Sequence, residues 1–182
     1  MTQFDRRAVL AAALTLTTAA LPRKPARAEG GLPGLQGLQV HEPSPAPELK
    51  LTEADGGVHG LERYAGRPVV LNLWATWCVP CVAEMASLDE LAREVGGEIT
   101  VLALSSDRGG ARVVERFYEQ RGIRSLPVLL DPRGEAARAL GARGIPTTVL
   151  VDGAGRERAR MEGAADWASA GAVAAIRKAL TA

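Results

Sequence analysis

Cys78 and Cys81 are the only cysteines of the 182-residue chain, three positions apart in the run Trp74-Ala75-Thr76-Trp77-Cys78-Val79-Pro80-Cys81. The apolar stretch Pro68 to Leu73 precedes them and a helical pattern follows. Two thiols at i and i+3 of a helix start lie within one turn, so their sulfurs can close a small disulfide without moving the backbone. That spacing suits a reversible redox switch. Unpaired N–H groups and the positive dipole end at a helix N-terminus favour a thiolate, which makes Cys78 the expected nucleophile. Cys81, one turn inside, is the expected resolving thiol, attacking the mixed disulfide that Cys78 forms with a partner. Pro80 fits the first helical turn, where its missing N–H has no intrahelical acceptor.

Other uses of the pair fit less well. Haem attachment needs His directly after the second cysteine, where this chain has Val82. A structural zinc site needs two more ligands, and the only histidines, His41 and His59, stand in no metal-binding spacing. Two inert buried thiols are the bland alternative, and the strand-CxxC-helix context disfavours it.

The run from Val69 to Cys81 resembles the active-site strand and helix of the thioredoxin superfamily. Asn72, where classical thioredoxins carry a buried Asp, is similar to the TlpA/ResA/DsbE-like branch of exported thiol-disulfide oxidoreductases. So are Glu84, three residues after Cys81, and Gly144-Ile145-Pro146-Thr147-Thr148. The resemblance covers residues 49–182 and implies an α/β thioredoxin fold with an N-terminal β-hairpin extension and a central helix-strand insertion. It also implies that Pro146 is a cis-proline facing the cysteines and that the Ile145 backbone pairs with a bound partner in strand fashion.

Several elements must position these residues. Pro68 to Ala75 reads as a central strand covered on both faces, with Trp74 packed into the sheet. Trp77 has two readings, an apolar collar where partners dock or ordinary packing. A helix is expected from about Cys78 to Val95, stopped by Gly96-Gly97; Ala86 replaces the family's usual proline, which implies a straighter helix. Glu98 to Leu104 is a second strand, and Ser105-Ser106-Asp107 is a turn suited to cap a helix over about 110–121. A short strand at 126–131 and a short helix at 134–140 follow. Val149 to Val151 and Arg156 to Met161 form a hairpin, and Asp166 is placed to cap a last helix from Trp167 to about Leu180. Upstream, Leu49 to Gly60 reads as a β-hairpin bearing His59 on its surface, followed by a short helical turn from Leu61 to Ala65.

Residues 1–28 read as a signal peptide, with Arg6-Arg7, the 14-residue apolar stretch Ala8 to Leu21, and Ala26-Arg27-Ala28 as a cleavage site. Twin-arginine and ordinary secretory export both fit, and an uncleaved leader would tether the domain to a membrane. Residues 29–48 hold four glycines and four prolines and are expected to be an extended, mobile linker with His41 solvated. Residues 49–182 are then one thioredoxin-like domain. The leader supplies five basic residues and one acid, so the formal charge of +1 becomes −3 without it, and nothing suggests nucleic acid.

The expected function is exported, periplasmic thiol-disulfide exchange on protein disulfides without a bound cofactor or metal. By the resemblance, a monomer acts as a reductant recharged by a membrane electron donor of the DsbD/CcdA type. Cytochrome c maturation, reduction of other exported proteins and oxidation are all open uses. Catalysis would fall to Cys78, Cys81, Pro146 and Glu84, and partner contact to Trp77, Ile145, Val79 and Pro80. Glu84 either tunes the thiols and relays a proton, as the matching Glu does in this branch, or is a solvated helix carboxylate. Asn72 cannot titrate, so it leaves proton removal from Cys81 to water or Glu84, or else it is simply a hydrogen-bonded core amide. Two other classes fit the sequence less well. A peroxiredoxin-like peroxidase has no resolving cysteine in the CxxC position, and a metal chaperone of the Sco type needs CxxxC and a downstream His.

Overall fold

The computed structural model describes residue 32 and residues 34–181; the expected leader lies outside them. Strand β4 (Val69–Trp74) is buried along its whole length, as its near-continuous apolar sequence requires. It pairs in parallel with β5 (Thr100–Ser105) and antiparallel with β7 (Thr147–Val151). Alternation along β4 divides the core in two. Val70 and Trp74 join the cluster that holds Met85, Leu88 and Leu91 of helix α1 (Val79–Val95) and Ile176 of helix α4 (Ala170–Thr181). Val69, Leu71 and Leu73 join the cluster on the other face, with Ala136 of helix α3 (Glu135–Ala139). Each large aliphatic side chain so buried contributes about 1.5–3 kcal/mol. Asn72 shares the parity of Val70 and Trp74, so its amide falls on the α1 face.

The remaining strands extend the sheet on both sides. Among the described residues its order is β1 (Gln39–Pro45), β8 (Arg156–Glu162), β7, β4, β5, β6 (Leu129–Leu130), β2 (Leu51–Glu53), β3 (Val58–His59), with β2 and β3 forming the expected hairpin. The helix-strand insertion between the two halves is helix α2 (Ala111–Arg121) followed by β6 (Leu129–Leu130), which is only two residues long. Gly122 ends α2 in a left-handed conformation at φ 69°, which favours glycine. Strand β8 (Arg156–Glu162) returns from β7 through the Asp152 to Gly155 turn.

Four local expectations are corrected. Residues 39–45 are not a free linker: they form edge strand β1 (Gln39–Pro45), paired with β8 and irregular between Val40 and Ser44. An edge strand bonds on one side only, so Pro43 and Pro45 are tolerated there. His41 is held by Glu157 at 3.0 Å rather than solvated. His59 leaves the hairpin surface, its side chain 11% exposed beside Glu53 and edge-on to Tyr64. Helix α4 begins at Ala170, because Ser169 Oγ accepts the Ala172 N–H at 3.3 Å, whereas Asp166 Oδ1 receives the Ala168 N–H in the preceding turn.

Candidate active site

The chain leaves β4 at Trp74, turns over Ala75 to Trp77 and enters α1 with Cys78 as its N-cap and Pro80 in its first turn. Cys78 Sγ accepts the Cys81 N–H at 3.3 Å, so the sulfur occupies the place where a capping oxygen would sit. The two cysteines form a disulfide, with their Cα atoms 5.2 Å apart. Cys81 is fully buried beneath it, while Cys78 keeps 6% of its surface open to solvent. Of the two cysteines, Cys78 is the one with surface left open.

The strand β7 side closes over the pair. The Ile145-Pro146 peptide bond is cis, and Cys78 Sγ lies 3.7 Å from the Ile145 carbonyl oxygen. Trp77 and Val79, on either side of Cys78, are 67% and 80% exposed, and Pro80 is exposed with them. Apolar side chains this open next to the Cys78 sulfur form a surface that no other described residue covers. Of the two readings for Trp77, packing into the core does not hold.

Glu84 is not a solvated carboxylate. It is fully buried on α1, where Oε1 accepts Asn72 Nδ2 at 2.8 Å and Oε2 accepts the Ala165 N–H at 2.9 Å and the Trp167 indole N–H at 2.7 Å. Burial pushes its carboxyl above the usual range, and the hydrogen bonds from Trp167, Ala165 and Asn72 oppose that rise only in part. Asn72 also donates to Thr148 Oγ1 at 2.9 Å, so one amide joins β4 to α1 and β7. Its own Oδ1 is buried with no partner among the described residues.

Two features of the site were not legible beforehand. Trp167 and Ala165 lie 83 and 81 residues after Glu84, and no local pattern announces that contact. Asp107, expected to cap α2, turns instead toward the cysteine loop: Oδ2 accepts the Thr76 N–H at 2.9 Å and Oδ1 accepts Thr76 Oγ1 at 2.7 Å. Helix α2 starts from Gly110 with no side-chain cap. Among the described residues no group of three or more His, Cys, Asp or Glu side chains is arranged to hold a metal ion. No helix among them is long and apolar enough to cross a membrane.

Comparison with known proteins agrees with this geometry. The chain is 34% identical over 116 residues to the thiol-disulfide oxidoreductase ResA of Geobacillus thermodenitrificans, a match spanning 62% of this chain and 64% of that one. The chain thus matches less than two thirds of the length of that curated relative. Among solved structures it is similar to the exposed lipoprotein thioredoxin Etrx1 of Streptococcus pneumoniae, with a TM-score of 0.56, 31% identity, and 64% of this chain and 89% of that one covered. A DsbF homologue from Corynebacterium diphtheriae shares the fold, with a TM-score of 0.64, 24% identity, and 81% and 96% covered. The expected thioredoxin fold and the likeness to the ResA and DsbE group are both borne out. The AhpC/TSA family model matches residues 43–159, and the chain belongs to that family.

Proposed function

We propose that the chain is an exported, periplasmic thiol-disulfide oxidoreductase that reduces disulfides in other proteins. The observation that carries this reading is the Cys78-Cys81 disulfide at the start of α1, open on the Cys78 side and closed on the Cys81 side. Cys78 Sγ accepts the Cys81 N–H at the start of α1, and in the dithiol form such a donor at a helix N-terminus favours the thiolate. That thiolate attacks one sulfur of the substrate disulfide; a Cys78-substrate disulfide forms and the other substrate sulfur leaves as thiolate. Cys81, having lost its proton, then attacks Cys78. The Cys78-Cys81 bond closes, the substrate departs with both thiols reduced, and two electrons have passed to it.

Trp77, Val79 and Pro80 supply the apolar surface against which a partner seats, and Ile145, ahead of Pro146, offers it backbone pairing. Glu84 is the buried acid closest in sequence to Cys81, and its raised carboxyl suits it to exchange a proton as Cys81 reacts. A membrane electron donor of the DsbD/CcdA type restores the dithiol, and maturation of cytochrome c is one use of the reducing power. No cofactor takes part, and a monomer suffices. The likeness to ResA supports this reading.

Insulin disulfide reduction in the presence of dithiothreitol tests it. The purified chain is expected to accelerate insulin reduction, and Cys78→Ala to abolish the acceleration. A wild-type rate no faster than dithiothreitol alone would overturn the reading.

A further inference from the structure

Asp107, in the loop between β5 and α2, is buried, with 4% of its surface exposed, yet its side chain caps no end of α2. Its side chain is fixed on three sides. Oδ2 accepts the Thr76 N–H at 2.9 Å and Ser105 Oγ at 2.7 Å, and Oδ1 accepts Thr76 Oγ1 at 2.7 Å. The Asp107 N–H in turn donates to Ser105 Oγ at 3.0 Å. One residue away, the Ser106 N–H donates to the Trp74 carbonyl at 2.9 Å. The end of β5 is therefore stitched to the loop between β4 and α1 at Trp74 and again at Thr76. Beyond that loop stands the Cys78-Cys81 disulfide, and the Cys78 N–H bonds back to Ala75 at 3.1 Å.

Trp77 is the residue caught between these anchors. A tryptophan 67% exposed loses apolar burial that it would gain by folding back over its neighbours, so the backbone beneath it must be stiff to hold it outward. We propose that Asp107 is a positioning residue for partner binding: by clamping Thr76 it presents Trp77 to the disulfide-bearing protein, while the exchange chemistry at Cys78 does not depend on it. This rests on the docking role given to Trp77 above. A preset aromatic anchor binds with less ordering cost, so loss of the clamp weakens association rather than slowing sulfur exchange.

The geometry also says which replacement is tolerated. With Asn at 107, the amide oxygen in the Oδ2 place still accepts the Thr76 N–H and Ser105 Oγ. The amide nitrogen in the Oδ1 place donates to Thr76 Oγ1, whose hydroxyl turns to accept. Charge is lost but the clamp is kept.

The test measures kcat and KM for insulin, with direct reduction of the Cys78-Cys81 disulfide by dithiothreitol as the chemistry readout. Asp107→Ala is expected to raise KM about tenfold with kcat and the dithiothreitol rate within about twofold of wild type, and Asp107→Asn to keep KM within about twofold. Thr76→Val, which replaces the hydroxyl with a methyl and serves if the alanine variant does not fold, is expected to raise KM about threefold, and Thr76→Ser to restore it. An unchanged KM in both Asp107→Ala and Thr76→Val overturns the proposal. So does an Asp107→Ala loss shared by insulin and dithiothreitol, or an Asn variant as poor as the alanine one. Trp77→Ala separates the two readings: if it leaves KM unchanged, the docking role of Trp77 fails; if it raises KM and the clamp variants do not, only the clamp fails.

Discussion

The indole N–H of Trp167 donates to Glu84 Oε2 at 2.7 Å, joining the loop before α4 to the first half of α1 inside the core. With the Ala165 N–H and Asn72 Nδ2 it gives the carboxylate three donors, yet burial dominates and the carboxyl is raised.

A raised folded value sets the sign of a stability effect. The folded chain holds the Glu84 proton more tightly than the unfolded chain does, so the associated stability is fully present at low pH. It is lost as pH rises from the ordinary carboxylate range through the raised value. Glu84→Gln removes this dependence. The melting temperature of wild type relative to Glu84→Gln is expected to fall as pH increases across that window; a difference constant with pH would contradict the assignment.

Trp74 and Trp77, at the two ends of one loop, are expected to behave oppositely. Trp74 is fully buried, 5.1 Å from the Phe117 ring and stacked at 5.9 Å on Tyr118. Trp74→Ala should destabilise the protein by about 3–5 kcal/mol through the cavity it leaves. Trp77→Ala, at a surface position, should stay within about 0.5 kcal/mol while raising KM for insulin. Urea denaturation of both oxidised variants measures the contrast, and similar losses in the two would contradict the assigned environments.

Edge strand β1 is latched through Glu157, which receives His41 Nε2 at 3.0 Å and both Arg160 Nε and Nη2, at 2.7 and 2.8 Å. Burial pushes the Glu157 carboxyl up, but the bonds from Arg160 and His41 outweigh it and hold the carboxyl below its usual range. The stability this contributes is present above the ordinary carboxylate range and lost as pH falls through the lowered value. Glu157→Gln should therefore speed amide exchange across residues 39–45 at neutral pH with β4 still protected. Unchanged exchange in that segment would show that the latch does not hold β1.

The sequence carried the centre of the fold because its signals there are local. Val69 to Trp74 is apolar enough to be a strand covered on both faces, and the cysteine spacing with Pro80 marks the start of α1. What it concealed depends on partners distant in the chain. Pro43 and Pro45 imitate a linker because an edge strand needs only one bonded side, and that side is supplied by β8. Asp107 has the composition of a helix cap, and only the folded sheet brings Thr76, 31 residues earlier, within reach of its carboxylate. Glu84 shares the face of α1 that carries Cys81, Leu88 and Leu91, but the donors that hold its carboxylate come from the loop with Ala165 and Trp167, far along the chain.

The most direct measurement is capture of a mixed disulfide. Reduced Cys81→Ala and Cys78→Ala proteins are each mixed with a protein bearing a disulfide, quenched in acid and resolved on a non-reducing gel. Cys81→Ala should accumulate a covalent adduct through Cys78 that dithiothreitol releases, and Cys78→Ala should form none. Equal adducts from both variants, or an adduct only from Cys78→Ala, would contradict the roles assigned to the two sulfurs.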